Sequence, residues 1–254
     1  MTWLEKRKLR YRNPAIVPFE QVAESAKTGD IILFHKDTRK GLLETLEVDV
    51  LSPLVFDKTE FRHCGIIVRR NGDLHVMECA DELHSGHADA SYLTKGTGIR
   101  MVPIEPLLHA YNRDNGDAHF GIKSIAKAIP DERLDGFLRE YEAINYLKIH
   151  KIAAVLLSHL VLPKTMHERV VQRFSNEMMC SEFVHHFLNK TGVLKDYPSK
   201  VFMPYYIEDT AFFKSLEIVP YSDITRFKYS SGRFSRPAFA GERTDGKTPR
   251  PLPR

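Results

Sequence analysis

The stretch RHCGIIVRRNGDLHVMECADE, residues 62–82, decides how this chain is read. Two short apolar runs flank Asn71-Gly72, the pair that best supports a two-residue type I′ hairpin turn. Pairing across that turn sets Ile67 opposite Val76, Gly65 opposite Glu78, Cys64 opposite Cys79 and His63 opposite Ala80. His63 and Glu78 then point to the same side as diagonal neighbours, about 7–8 Å apart at the backbone and within reach of long side chains. A slip of one residue would separate them. An imidazole held against a carboxylate is oriented and kept in one tautomer, as a catalytic base must be. Cys64 and Cys79 fall on the other face and read as buried apolar lining. A zinc site built on them would need two further ligands; His75 lies four residues from Cys79, too far for a tetrahedron, so no metal is expected there.

Outward from the hairpin, TGDIILFH (28–35) reads as a strand begun at a Gly-Asp turn, preceded by a short helix over 19–26. Asp30 reads as a turn cap, with contact to the site as its alternative. Further strands are expected over 98–104 and 118–125. Leu134, Phe137, Leu138 and Tyr141 then recur at helical spacing after Pro130-Asp131. Ile152 to Leu162 is a second helix. Thr165-x-x-Glu168 is a capping-box signature opening a third, with Val170, Val171 and Phe174 buried. NEMMCSEFVHHFLNKTG (176–192) is a fourth, ended by Gly192. A short helix over 203–213 and a last strand over 216–221 follow. Strands first and helices after indicate an α+β fold, an antiparallel sheet packed on helices. The domain reading is an N-terminal arm (1–18), one catalytic domain (19–229) with a helical insertion over about 131–175, and a basic, disordered tail (230–254).

Composition narrows the function classes. The 254 residues carry a formal charge of only +4, and six of the basic side chains crowd into the last 24 positions. No basic stripe marks a nucleic-acid surface. Three cysteines make no disulfide framework. The N-terminus lacks the apolar core of a secretion signal, and the run 152–162 is shorter than the roughly 20 residues that span a bilayer. The expectation is a soluble, cytoplasmic protein without a transmembrane segment, for which peripheral membrane contact stays open. KGTG (95–98) lacks the spacing and closing Lys-Ser/Thr of a P-loop, and no cofactor is expected. His84, His87 and Asp89 read as a solvated loop, and the oligomeric state is left open.

A His–Glu pair needs a reacting partner. Cys180 is the candidate, at the start of a helix whose unpaired N–H groups and dipole favour a thiolate and can hold an oxyanion. His185 and His186 follow on the same helix but off the Cys180 face, so His63 is preferred as base.

TGDIILF, FRHCGIIV…GDLHVMECA and MCSEFVHHFLNKTGVL together resemble the circularly permuted NlpC-like papain-fold enzymes of the YiiX type. The resemblance covers roughly residues 20–225 and rests on three short windows in one order, with the cysteine helix after the histidine strand. It implies that Cys180, His63 and Glu78 are the catalytic residues of a thiol hydrolase. It further implies an amide substrate, a small peptide or cell-wall fragment. Lecithin–retinol acyltransferase-like proteins are similar in outline, but their motif usually reads Asn-Cys-Glu-His-Phe, and MCSEFV with Glu78 departs from it. A lipid acyl ester is the alternative substrate, and a binding protein without turnover on the same fold is the second alternative. Such relatives occur in bacteria, phages and large DNA viruses; a viral source would make the virion or host cytoplasm the location.

Overall fold

A computed structural model describes residues 15–35, 60, 61, 63–80, 91, 92, 98–115, 119–141, 144–147, 151, 154, 155, 157, 158, 161–198, 200, 202 and 204–230. The His84–Asp89 loop, most of KGTG, the N-terminal arm up to 14 and the tail from 231 lie outside the described residues, as does part of the 152–162 segment.

The hairpin forms in the register its turn predicts. Strands β3 (His63–Arg70) and β4 (Asp73–Ala80) pair antiparallel from Arg70 opposite Asp73 to Ile66 opposite Met77. Asn71 and Gly72 both take positive φ, +52° and +89°, as a type I′ turn requires. Around this pair an eight-stranded sheet is built in the order β1-β10-β7-β2-β3-β4-β6-β5. Its other members are β1 (Ile16–Pro18), β2 (Ile31–Phe34), β5 (Ser91–Tyr92), β6 (Gly98–Pro103), β7 (Phe120–Lys123) and β10 (Thr225–Lys228). All its pairings are antiparallel except β1 with β10, so the fold is α+β with a mostly antiparallel sheet. Ile16–Pro18, the end of the expected arm, is thus part of the sheet.

Both faces of the sheet are covered. Alternation sends Ile31, Leu33, Cys64, Ile66, Val68, Met77 and Cys79 to one side. There they pack with Leu134 and Phe137 of α3 (Asp131–Glu140), Phe183, Val184, Phe187 and Leu188 of α5 (Cys180–Lys190), Ile207 of α6 (Pro204–Glu208), and Phe213 and Leu216 of α7 (Thr210–Leu216). Ile32, Phe34, Ile67, Val76 and Val102 face the other way. They pack with α1 (Phe19–Ser25) and α2 (Ile104–Asn115) through Phe19, Val22, Leu107, Leu108 and Tyr111. The chain therefore forms three layers, helices on each side of one sheet.

Several local expectations change. Helix α4 (Lys164–Gln172) is preceded by Pro163 at its N-cap, which puts Thr165 inside the first turn, where it cannot cap. The predicted capping box is therefore absent, and Glu168 approaches Lys164 instead, at 4.0 Å. None of its side chains is buried. Residues 177 and 178, expected as helix, form a short strand β9 (Glu177–Met178) parallel to β8 (Asn145–Tyr146). The strand expected over 216–221 reduces to isolated bridges at Glu217 and Tyr221, because Pro220 has no N–H for a ladder. The final strand is β10. Asp30 is fully buried and accepts from the backbone N–H groups of Ile125 (2.8 Å) and Lys27 (3.0 Å). Burial raises its carboxyl to about 6, and its role is to clamp the start of β2.

Gly65 of β3 faces β4 with no room for a side chain. A Cβ there would lie 2.8 Å from Val76 Cγ1, 3.0 Å from the Met77 carbonyl oxygen and 3.3 Å from Glu78 Cβ. The missing side chain makes the room that Glu78 occupies. Gly65→Ala is expected to cost about 1–3 kcal/mol in urea unfolding; a loss below about 0.5 kcal/mol, the range of neutral surface changes, would show that the approach is not tight.

Candidate active site

Three strands and one helix end meet at the site. His63 opens β3, so its ring lies at the end of the sheet. Glu78 is carried by β4, and Arg100 of β6 stands directly opposite Glu78 in the ladder. His63 Nε2 lies 2.5 Å from Glu78 Oε2. The other carboxylate oxygen accepts from Arg100, at 2.7 Å from Nε and also from Nη2. Glu78 and Arg100 are essentially without solvent exposure, at 0% and 1%. Each carboxylate oxygen thus serves one cation, a forked arrangement that fixes the imidazole's orientation.

Cys180 is the first residue of α5, and Met179 before it is extended. The helix packs on the Cys64 face, away from the face that His63 begins. Cys180 nevertheless interacts with both residues, because His63 stands at the strand's end. It is hydrogen-bonded to the side chains of Cys64 and His63 and to the Cys64 backbone N–H.

The titration directions follow from these contacts. The hydrogen bond from Cys64 is the strongest influence on Cys180. Burial opposes it, but His63 and the Cys64 N–H reinforce it, and the thiol is held well below its ordinary value. Burial alone would push His63 down; the charges of Cys180 and Glu78 and its hydrogen bonds to both prevail, raising it from 6.5 to about 10. Burial also works against ionised Glu78, yet His63 and Arg100 lower it from 4.5 to about 2. Cys64 and Cys79 are both raised well above 9.0, first by burial and then by Cys180, through a hydrogen bond and its charge at Cys64 and through its charge at Cys79. These directions favour the charged forms of Cys180, His63 and Glu78 where they meet, and the neutral forms of Cys64 and Cys79.

Cys64 and Cys79 hold the segment that carries Cys180. Cys64 donates to Cys180, and Cys79 Sγ donates to the Met178 carbonyl at 3.3 Å. Glu182 caps the helix by accepting from the Met179 N–H at 3.3 Å and pairs with Lys200 at 3.0 Å. Ser181 Oγ donates to the Phe202 carbonyl at 2.6 Å. On the opposite face the His63 ring lies near Phe34 and Tyr111, with centroids 5.4 and 6.4 Å away. The residues leading into β3 are clamped as well. Glu208 accepts from the N–H groups of Glu60 and Phe61, both at 3.0 Å, while Glu60 pairs with His119 at 2.7 Å and with Arg226.

His63, Glu78 and Cys180 are thus brought together. His185 and His186 are not part of the cluster: the first packs on Phe202 at 4.8 Å, and the second reaches toward Glu182 at 4.0 Å. Arg100 is not legible as a site residue from the sequence alone. Its one signal is a lone guanidinium inside the apolar run GIRMVP, which has meaning only once β6 is known to neighbour β4. Among the described residues no group of three or more His, Cys, Asp or Glu side chains is placed to hold a metal ion.

The fold and site define an α+β protein with a buried cysteine, histidine, glutamate and arginine at one end of its sheet. Compared with known proteins, the chain is 30% identical over 221 residues to the uncharacterized protein R372 of Acanthamoeba polyphaga mimivirus, across 85% of this chain and 87% of that one. It belongs to the family of that protein. No family model matches it. Among solved structures, the metalloprotein yiiX from Escherichia coli O157:H7 (DUF1105) is similar at 15% identity and a TM-score of 0.31, over 78% of this chain and 88% of that one. So loose a superposition carries nothing over about fold or activity.

Removing one member of a buried ion pair strands the other. Arg100→Leu is expected to lower stability by about 3–5 kcal/mol in urea unfolding, and adding Glu78→Gln to recover part of that loss. A single-variant loss below about 1 kcal/mol, the range of exposed pairs, would contradict the buried fork.

Proposed function

We propose that this chain is a thiol hydrolase or acyl-transfer enzyme of the permuted NlpC-like papain type, with Cys180 as nucleophile, His63 as acid and base, and Glu78 as the group that orients the imidazole. The observation that carries the reading is the 2.5 Å contact of His63 with Glu78 on a ring that also hydrogen-bonds Cys180. The order of motifs along the chain supports the permuted form. In this reading residues 19–229 are one catalytic unit with a helical insertion over about 131–175, and the chemistry needs no cofactor.

The proton already resides on His63, so the thiolate attacks the substrate carbonyl carbon directly. The developing oxyanion is met by the Cys180 backbone N–H, one of the helix's first amides and so without an intrahelical partner. As the carbonyl re-forms, the bond to the leaving nitrogen breaks, and His63 gives that nitrogen its proton. The neutral imidazole then takes a proton from water or an amine, which attacks the thioester and frees Cys180. Arg100 stays charged throughout and keeps Glu78 ionised and aligned.

The proposed substrate is an amide, a small peptide or cell-wall fragment. An acyl ester of a lipid is the second reading, favoured by the exposed apolar side chains of the 157–166 region. A thioester intermediate serves either substrate.

Chloroacetamide labelling followed by intact mass and peptide mapping tests the nucleophile. Cys180 is expected to label selectively. A His63→Ala change is expected to cut turnover of a peptide anilide by about 10²–10⁴-fold. The pH dependence follows from the shifts: the ion pair persists above the lowered Cys180 value and is lost as His63 gives up its proton near 10. Activity should therefore hold through neutral pH and fall as pH rises through about 10. Equal labelling of all three thiols, or turnover that survives Cys180→Ala, would overturn the reading in favour of a binding protein. Turnover of phospholipid vesicles with none of peptide amides would replace the amide with the lipid.

A further inference from the structure

Six large apolar side chains are exposed among the described residues, and four of them fall within ten positions. Leu157 is 51% exposed, Val161 65%, Leu162 38% and Met166 52%. The described residues between 151 and 161 are helical, and α4 begins at Lys164, so these side chains ring a corner between two helices. Leu157 and Val161 are one turn apart on the same face, and Leu162 and Met166 lie on either side of the break at Pro163. The corner is held together beneath them. Ser158 is buried, donates to the Val155 carbonyl at 2.7 Å and hydrogen-bonds His167 Nδ1 at 2.9 Å. α4 itself buries no side chain completely, and His167, Val170 and Val171 are its half-buried residues.

Charge says what partner the corner fits. Between 161 and 173 the exposed charged side chains are Lys164, Arg169 and Arg173 against Glu168 alone, and Lys164 meets Glu168 only at 4.0 Å. An apolar knuckle rimmed by lysine and arginine fits the boundary between lipid headgroups and acyl chains when the headgroups are anionic. A protein partner would need a matching apolar, acidic surface, whereas a bilayer supplies both properties without specific shape. We infer that the corner formed by Leu157, Val161, Leu162 and Met166, with Lys164, Arg169 and Arg173 around it, docks on an anionic membrane surface.

The position of the corner gives docking a consequence. The excursion departs after β8 and returns through β9, where the Asn145 N–H donates to the Asn176 carbonyl at 3.1 Å and the Leu147 N–H to the Met178 carbonyl at 2.9 Å. Cys180 follows two residues later. Contact with a bilayer would thus be made by the segment that leads straight into α5. The inference stands on exposure and charge and holds whether or not Cys180 is a nucleophile.

Flotation of the full chain with phosphatidylcholine vesicles, with and without phosphatidylserine, tests it. Binding is expected on the phosphatidylserine vesicles and to weaken with added salt. Leu157→Asp/Val161→Asp is expected to reduce it at least about tenfold, by removing the inserting side chains. Lys164→Glu/Arg169→Glu, at exposed positions that leave the fold undisturbed, should reduce it on phosphatidylserine vesicles. The basic segment beyond residue 230 is identical in every variant, so the differences report this face. Binding unchanged in both variants, or no binding to either vesicle, overturns the inference. So does a wild-type dimer in light scattering that the Leu157→Asp/Val161→Asp change converts to monomer, which would assign the face to a second copy of the chain.

Discussion

Everything near the sheet's end depends on a buried run of alternating charge: Arg100, Glu78, His63 and Cys180. The contacts among them favour the charged forms of Glu78, His63 and Cys180, which burial opposes, because burying an uncompensated charge is among the most costly things a fold can do. Arg100 and Glu78 form a cross-strand pair, and Glu78 reaches His63 at 2.5 Å along the adjacent strand. His63 in turn interacts with a sulfur from a helix more than a hundred residues away in sequence. A register shift in either hairpin strand would break the run at its centre. The positive φ of Asn71 and the missing side chain of Gly65 therefore bear on the site as directly as the charged groups do.

The three cysteines divide the work. Cys64 and Cys79 are neutral, buried and on the face against which α5 packs, and both touch the segment that carries Cys180. Cys64 gives its proton as a hydrogen bond to the sulfur, while Cys79 anchors the carbonyl of Met178 just before it. A thiol beside the histidine and another beside the glutamate is thus a way of bringing a helix N-terminus down onto the sheet at a fixed point. Glu182 and Lys200 complete the hold from the helix side.

How much of this was legible beforehand follows the range of the interactions. The Asn71-Gly72 turn is local, and it sets the register, the shared face of His63 and Glu78, and the placement of both lining thiols. The convergence of Cys180 on that hairpin was reachable through the order of three motifs. Arg100 was not reachable, because its meaning depends on β6 lying next to β4, which no periodicity reveals. The capping box at Thr165 failed for a local reason, since Pro163 started the helix earlier and left Glu168 facing Lys164. The last strand failed because the pattern of LEIVPY was strand-like while Pro220 could not join a ladder. Contacts of the Cys64 thiol with Cys180 lay beyond any reading of the sequence, since the lining face and α5 had to be packed before they could meet.

The protonation state of the His63 ring is where the central claim is most exposed. Nitrogen-15 NMR of the histidine rings across a pH titration, with the His63 signal assigned by its loss in His63→Gln, reads that state directly. A ring that stays protonated through neutral pH and titrates near 10 is the expected result. A midpoint at or below the ordinary 6.5 would mean that no thiolate and carboxylate hold the proton there, and the alternating run of charge would not exist.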